Sequence, residues 1–308
     1  METARTKLEK SYAPHVALLL VQAFFGSLPV IGKIVLKTIP AFGLVGFRVG
    51  ITAICLLFFQ LYRGNLWLKE SADYWRLFVL SIFGVSLNQI LFISGLSLTK
   101  ASNSSLLAVT IPIFALTVGS ILGVEKLRSV KIVGIVLAAV GVILLLDPRK
   151  ASFSSETTVG DILIICNSLS YGIYVATSKK TISRNGAIKS MTWLFIFAAL
   201  ICVPLGAFSM SNIDIATVTP MIWLLVLHIA IVSTALPYIL NAWALARVNP
   251  STVAVYVYLQ PIIGFMLAVI FLGEEISLLT ILAACLIFAG VFLVTKKKKI
   301  SHELNHLK

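Results

Sequence analysis

Charged residues are scarce in this 308-residue chain: Asp, Glu, Lys and Arg make up 12% of it, and only 12 residues are acidic. An ordinary soluble domain carries roughly 25% charged residues, so this composition excludes a soluble globular fold. The four cysteines all lie inside apolar runs, and no CxxC spacing joins them. A disulfide or zinc framework is therefore excluded, and the sequence predicts no cofactor.

Long hydrophobic runs fill the chain instead, and 59% of its residues are hydrophobic. A helix needs about 20 consecutive apolar residues to cross the hydrocarbon core of a membrane. Ten runs of this kind, separated by short polar breaks, predict an all-α membrane protein with ten transmembrane helices. The predicted spans are residues 14–36, 41–61, 76–97, 101–123, 129–146, 159–178, 188–209, 218–243, 250–272 and 276–295.

The longest polar break, at 147–158, divides the chain near its middle. It predicts a linker, outside the cytoplasm, between a first five-helix repeat at 14–146 and a second at 159–295, followed by a basic tail at 296–308. An offset of 149 residues aligns the end of the first repeat with the second without a gap. It places Ser102 on Ser251, Pro112 on Pro261, Glu125 on Glu274 and Gly141 on Gly290. Self-similarity at one fixed offset indicates a duplicated unit.

The charge distribution predicts that the two repeats are inverted. Five helices is an odd number, so the second repeat must enter the membrane from the opposite side. With a cytoplasmic N-terminus, 19 of the 25 Lys and Arg residues face the cytoplasm, five lie outside, and Arg48 alone lies within a span. This bias predicts that both termini are cytoplasmic in a plasma (inner) membrane. We interpret the basic run at 296–299 as an anchor on the anionic inner leaflet of the membrane. No nucleic-acid partner is therefore predicted.

Two prolines interrupt corresponding spans near their centres. Pro112 and Pro261 each remove a backbone hydrogen bond, which frees the carbonyl groups of Ala108 and Val257. Matched breaks of this kind indicate a binding site at the membrane midplane. The alternative is that both prolines are kinks that only allow neighbouring helices to pack.

Polar and aromatic residues indicate which helices face such a site. In the sixth span Asn167, Ser170, Tyr171 and Tyr174 have helical spacing and share one face. A row through Ser81, Asn88 and Phe92 marks the third span, and shorter clusters mark the eighth and ninth. The predicted cavity residues are Asn88, Gln89, Asn167, Tyr171, Tyr174, Tyr238, Asn241, Tyr256 and Gln260. The alternative for each of them is an interhelical hydrogen bond that only holds helices together.

Charge within the spans is almost absent. Arg48 is the only charged residue well inside a span, which by default marks a functional site. Its side chain could instead bind carbonyl groups of a neighbouring helix, and both interpretations stay open. All twelve acidic residues lie in tails, loops or at span ends. We therefore predict facilitated diffusion or exchange rather than transport driven by a buried carboxylate relay.

The segments at 87–145 and 239–294 carry a recognisable pattern, in which Pro112 and Glu125 in the first correspond to Pro261 and Glu274 in the second. In these motifs the chain resembles the EamA family of the drug/metabolite transporter superfamily over nearly its whole length. The resemblance implies ten helices, cytoplasmic termini and alternating-access export of small metabolites such as amino acids or drugs. It also implies a cavity between the third, fourth, eighth and ninth helices, with the first and sixth.

Together these features predict a transporter in the lipid bilayer whose cargo is a small neutral or zwitterionic metabolite, and they leave homodimerisation open. A nucleotide-sugar or sugar-phosphate carrier is the alternative, but phosphate groups require several cationic side chains, and only Arg48 and Lys33 are in reach. A membrane scaffold would not need matched prolines. An intramembrane enzyme would need HExxH, GxSxG or paired carboxylates, which the spans lack, so we predict no enzymatic activity.

Overall fold

A computed structural model describes residues 2–99, 104, 107–108, 110–146, 157–263 and 278–295. The regular secondary structure within these ranges is helical. Of the predicted linker, only Thr157 and Thr158 fall within the described residues. The predicted basic tail lies outside them, as do Ser102 and Glu274.

Thirteen α-helices follow one another along the described chain, with π-helical and 3₁₀ segments between some of them. They are α1 (Glu2–Gly26), α2 (Leu28–Val35), α3 (Ala41–Tyr62), α4 (Ser71–Ser81), α5 (Leu87–Leu98), α6 (Thr110–Ile121), α7 (Ser129–Leu146), α8 (Thr158–Asn185), α9 (Ala187–Met210), α10 (Pro220–Ala230), α11 (Leu236–Leu245), α12 (Pro250–Val255) and α13 (Leu278–Thr295). Pro220 and Pro250 begin their helices, where a missing N–H costs nothing. Gly186, with a φ of 88°, separates α8 from α9.

Six helical stretches are long and apolar enough to cross a bilayer. They are Tyr12–Val35, Ala41–Tyr62, Ser71–Leu98, Thr158–Asn185, Ala187–Met210 and Pro220–Leu245, and each corresponds to a predicted span. Shorter apolar helices at Thr110–Ile121, Ser129–Leu144 and Ile281–Thr295 fall within three more of the predicted spans. Large apolar side chains such as Phe58 (67% exposed) and Phe208 (82% exposed) point outward, as a lipid-facing surface requires. The architecture is that of an all-α membrane protein.

Glycine allows two helix pairs to approach backbone to backbone. A Cβ atom on Gly46 of α3 would lie 2.9 Å from the Cα of Gly206 in α9. A Cβ on Gly134 of α7 would lie 2.8 Å from the carbonyl oxygen of Gly290 in α13, and one on Gly141 would lie 2.8 Å from that of Ala283. Small residues at such contacts bring membrane helices close enough for extensive van der Waals packing.

Two of the spans change their helical geometry near the centre of the bundle. A π-helical segment, Ile82–Ser86, joins α4 to α5, and another, Ile231–Ala235, joins α10 to α11. The two segments begin 149 residues apart, which is the offset that aligns the halves of the sequence. A π-helical turn contains an extra residue and often occurs at a functional site, because it rearranges the backbone hydrogen bonds.

Candidate functional site

A cavity of about 100 Å³ lies at the centre of the bundle. Side chains from α1, α2, α3, α5, α8 and α11 line it, together with the start of α6, the residues before α6 and the segment after α12. Six of the nine predicted cavity residues line this cavity, namely Asn88, Gln89, Asn167, Tyr171, Tyr238 and Gln260. The structure therefore brings together residues that are distant in the sequence and come from both halves of the chain.

A hydrogen bond between Gln89 and Tyr238 crosses one wall of the cavity. The Gln89 Nε2 group donates to the Tyr238 hydroxyl oxygen at 2.8 Å, and both side chains are buried. The Tyr238 hydroxyl itself lies 3.1 Å from the carbonyl oxygen of Gly84 and 3.0 Å from Oδ1 of Asn88, and can donate to either. One phenol thus orients two amide side chains toward the cavity.

The opposite wall is built on α8. Asn167 donates from Nδ2 to the carbonyl oxygen of Asn88 at 2.7 Å, which fixes α8 against α5. One turn further along, the Tyr171 hydroxyl accepts a hydrogen bond of 2.8 Å from Nδ2 of Asn241. Asn241 therefore lies behind the wall and positions Tyr171. Tyr174 also lies behind it, because its buried ring packs directly against the backbone of Gly84.

Polar contacts also connect α1 with the segment after α12. Gln260 donates from Nε2 to Oε1 of Gln22 at 2.8 Å, and both residues line the cavity. The Tyr256 hydroxyl lies 2.7 Å from Nδ1 of His15, away from the cavity lining. Gln22 is a cavity residue that the sequence-based prediction did not include. Its signal was available, because an amide inside an apolar run costs free energy unless it finds a polar partner.

The two prolines lie beside residues that line the cavity. Pro112 is buried in the first turn of α6, and Pro261 follows the 3₁₀ segment Tyr256–Leu259. Ala108 and Val257, whose carbonyl groups the prolines release, both line the cavity. Each carbonyl accepts a hydrogen bond from the N–H group three residues further along the chain. Ile111 donates to Ala108, and Gln260 donates to Val257. The chain thus tightens at both breaks and satisfies the released groups within the backbone.

Arg48 is fully buried, with 1% of its surface exposed, and lines the cavity from α3. Its Nε and Nη2 groups donate to the Thr234 hydroxyl at 3.0 and 2.8 Å, and Nη2 also lies 3.4 Å from the carbonyl oxygen of Ser233. Nη1 has no hydrogen-bond partner among the described residues. Arg48 therefore connects α3 to the second π-helical segment and keeps one donor unused.

A buried ionic cluster lies at one end of the bundle. Lys131 of α7 forms an ion pair with Glu125, and its Nζ group lies 3.2 Å from the Ser251 hydroxyl. Glu125 also accepts the backbone N–H of Ser251 at 3.1 Å. The cluster joins the loop after α6 to the first turn of α12. The sequence did not predict that Lys131 is buried, because its burial depends on contacts with Glu125 and with Ser251, which is 120 residues away in the chain.

The chain matches a known protein family and is similar in sequence to several known proteins. Residues 14–147 and 158–296 match the model of the EamA-like transporter family. An uncharacterized transporter of Archaeoglobus fulgidus is 26% identical over 285 residues, covering 92% of this chain and 98% of that protein. The uncharacterized transporter YetK of Bacillus subtilis is 26% identical over 296 residues, covering 95% and 89% respectively.

A shorter similarity involves a transporter with a named cargo. The threonine/homoserine exporter RhtA of Salmonella typhimurium is 31% identical over 163 residues, covering 53% of this chain and 54% of that protein. Among solved structures, one crystal structure of a protein matches with a TM-score of 0.74 at 20% sequence identity, covering 92% of this chain and 96% of the other. At that identity the structural match supports the fold alone.

Proposed function

The chain belongs to the EamA-like transporter family, and from that premise we propose that it exports a small neutral or zwitterionic metabolite by alternating access. It is a multi-pass protein of the plasma membrane, and its relatives are named as transporters. The central cavity carries the proposal. Amide and phenol groups from both halves of the chain meet there, and Arg48 is the only charged residue among the described ones that line it.

The proposed architecture is ten helices in two inverted five-helix repeats, with both termini in the cytoplasm. The offset of 149 residues supports it, because this offset relates the two π-helical segments and also separates Gln89 from Tyr238. The glycine contacts between α7 and α13 support it as well. Under that offset Gly134 corresponds to Ala283 and Gly141 to Gly290, and each glycine packs against the counterpart of the other. Such a reciprocal pattern is expected when two copies meet about a two-fold axis.

The ionic cluster of Glu125, Lys131 and Ser251 supports a closed end of the transport pathway. It joins the loop after α6 and the start of α7, in the first half, to the start of α12 in the second. In the proposed orientation this end faces the cytoplasm. Alternating access requires the two halves to separate at each end in turn, so these contacts break when the cytoplasmic end opens.

The lining favours neutral or zwitterionic cargo. A substrate with a phosphate group requires several Arg or Lys side chains, whereas the described lining supplies Arg48 alone. Amide and phenol groups can both donate and accept hydrogen bonds, which suits the hydroxyl, amino and carboxylate groups of an amino acid. The similarity to a protein named as a threonine/homoserine exporter supports cargo of that size and chemistry.

A ligand-stabilisation screen of the purified protein tests this function. Amino acids, nucleobases, sugars and sugar phosphates are added separately, and the melting temperature is measured, since a ligand that binds the folded state raises it. We expect amino acids or similar zwitterions to stabilise the protein, and the gain to disappear in Gln89→Leu. Val136→Leu, on the outward surface of α7, is the matched control. Stabilisation by phosphate esters alone would favour the sugar-phosphate carrier instead.

Energy coupling is tested in liposomes. No acidic residue occurs among the described residues that line the cavity, which supports facilitated diffusion or exchange. The expected result is that efflux of the identified substrate follows its own gradient or that of a counter-substrate. Uphill accumulation driven by an imposed pH gradient would contradict this part of the proposal.

A further inference from the structure

Two adjoining cavities form a second site on the outer surface of the bundle. The first, of about 520 Å³, lies where α3 and α11 end and α8 gives way to α9, and its lining includes Arg63, Lys189 and Arg247. The second, of about 830 Å³, is a furrow between α1, α11 and the start of α9. Ala187, Ile188 and Trp243 line both. The two cavities therefore adjoin one another at these three residues, and we call them the basic pocket and the apolar furrow.

Positive charge accumulates in the basic pocket without a counter-charge. The described lining contains no carboxylate, and none of its three cations forms an ion pair with a described residue. The Arg247 guanidinium lies 3.9 Å from the centre of the Trp243 ring, and Lys189 donates to the carbonyl oxygen of Trp67 at 3.0 Å. These contacts hold the side chains in place but leave their charge available to an anion.

The neighbouring acidic residues do not neutralise this pocket. Glu70 and Asp73 lie nearby in the chain, but both form ion pairs with Arg76 and Arg184. Asp73 also accepts a hydrogen bond of 2.7 Å from Asn185, which is itself part of the pocket lining. Arg76 and Arg184 therefore neutralise the negative charge of these two carboxylates, and the three cations of the basic pocket do not.

The apolar furrow runs from the basic pocket along α1. Tyr12, Val16 and Leu20 lie on one face of α1 and are 64%, 53% and 46% exposed. Eight residues of helix cover about 12 Å, so the furrow reaches well below the end of the bundle. Ile239 and Leu240 of α11 line it on the other side. Its surface thus suits an extended hydrocarbon chain.

From this combination we propose that the site binds an anionic phospholipid. The phosphate lies among Arg63, Lys189 and Arg247, and one acyl chain lies in the apolar furrow. In the proposed orientation, on which this inference rests, the helix ends that form the pocket lie at the cytoplasmic surface of the membrane, where Arg, Lys and Trp side chains meet anionic lipids. A soluble phosphate would leave the furrow unused, and a zwitterionic lipid such as phosphatidylcholine would bring the cation of its headgroup next to the three cations of the pocket.

The test uses the full-length protein in nanodiscs of equimolar phosphatidylcholine and phosphatidylglycerol, and measures the phosphatidylglycerol retained on the protein by native mass spectrometry. The variant R63Q/K189Q/R247Q removes the three cations. We expect its preference for phosphatidylglycerol to fall by about 100-fold, since each basic residue near the surface contributes about a five-fold gain in binding. The variant K126Q/R128Q/K180Q changes three exposed cations outside both cavities and is expected to keep the preference.

A second pair of variants tests the furrow without changing charge. V16W narrows the furrow and is expected to reduce retention severalfold, whereas V136W, at another exposed position, leaves it unchanged. Circular dichroism of each variant confirms that the helices are intact. Equal retention by R63Q/K189Q/R247Q and the wild type, equal loss in both triple variants, or no effect of V16W would each overturn the proposal. Full displacement of the lipid by inorganic phosphate would also overturn it, since the site would then be one for a soluble anion.

Discussion

The two π-helical segments share one backbone geometry but carry different side chains. Ile82–Ser86 places Gly84 at its centre, and its neighbours on α8 are Tyr174 and Ser170. In Ile231–Ala235 the corresponding position is Ser233, followed by Thr234. At this position the first segment offers bare backbone, whereas the second offers a hydroxyl group.

The partners of the two segments differ accordingly. In the first, Ser170 donates to the carbonyl oxygen of Phe83 at 2.8 Å, and Tyr238 lies within hydrogen-bond distance of the Gly84 carbonyl. In the second, the Thr234 hydroxyl accepts both bonds from Arg48 and donates to the carbonyl oxygen of Ile229 at 2.7 Å.

The two π-helical segments therefore have different roles in the structure. The first segment lets aromatic rings approach the backbone, and so supports the polar wall of the cavity. The second anchors a buried cation and holds α3 against α10. Under the proposed duplication, the two copies of this segment keep one backbone geometry, while the side chains at matching positions differ: one copy supports the proposed substrate cavity and the other anchors Arg48.

The largest expected effect comes from Arg48→Gln, which removes the anchor of the second segment. Loss of the charged hydrogen bonds to Thr234 is expected to destabilise the protein by about 3 kcal/mol. Folded yield and melting temperature in detergent should fall, while Arg128→Gln, at an exposed arginine outside the cavities, should leave both unchanged. A variant that folds normally and loses only the transport of anions would instead support the sugar-phosphate carrier.

Gly84→Ala is expected to have the next largest effect, and acts on the first segment. The added methyl group would overlap the ring of Tyr174, which is 1% exposed and has no room to move. Overpacking of this kind costs about 2 kcal/mol, which a thermal melt can measure. Ser233→Ala, at the corresponding position, should cost less because a Cβ atom is already present there. Equal melting temperatures for Gly84→Ala and the wild type would show that the Tyr174 contact is dispensable.

Tyr238→Phe distinguishes a cavity wall from a purely structural hydrogen bond. An interhelical hydrogen bond contributes only about 0.6 kcal/mol to stability, so the melting temperature should change little. Efflux of the identified substrate should fall by about ten-fold, since the phenol orients Gln89 and Asn88 toward the cavity. Unchanged efflux in proteoliposomes would mean that Tyr238 only holds α11 against α5.

The smallest effects are expected from Ser170→Ala and Ser27→Ala, which remove one hydroxyl beside each segment. Ser170 bonds the carbonyl of Phe83, and Ser27 lies 3.0 Å from the Ser233 hydroxyl. Each variant should lose about 0.6 kcal/mol in chemical or thermal unfolding and keep its transport rate. A clear loss of transport in Ser27→Ala would show that the second segment also contributes to the transport pathway.

Much of the helical framework was predictable from local composition. The six long helices correspond to predicted spans, although α8 continues to Asn185, beyond the predicted end at residue 178. The extension carries Lys179 and Arg184, whose long side chains find partners at the end of the bundle: Lys179 donates to the carbonyl oxygen of Val248, and Arg184 pairs with Glu70 and Asp73. Hydropathy falls at the first charged residues and therefore places the end of a span too early. The helix itself continues for as long as the backbone keeps its helical geometry.

The polar faces were predictable only in part. The predicted row through Ser81, Asn88 and Phe92 assumes one continuous α-helix, but the π-helical segment lies between Ser81 and Asn88. Its extra residue rotates the two ends of the span relative to one another. Asn88 and Phe92 line the cavity, whereas Ser81 donates to the carbonyl oxygen of Phe78 within its own helix.

Membrane class, the approximate spans and the predicted orientation follow from the sequence alone, because hydrophobicity and charge act locally and add along the chain. Tertiary structure decided which polar residues meet. Gln89 reaches Tyr238, and Lys131 reaches Glu125 and Ser251, only because the rotation and depth of each helix are set by packing against its neighbours. Close glycine contacts and π-helical turns determine that packing, and neither has a signature in the hydropathy of a single span.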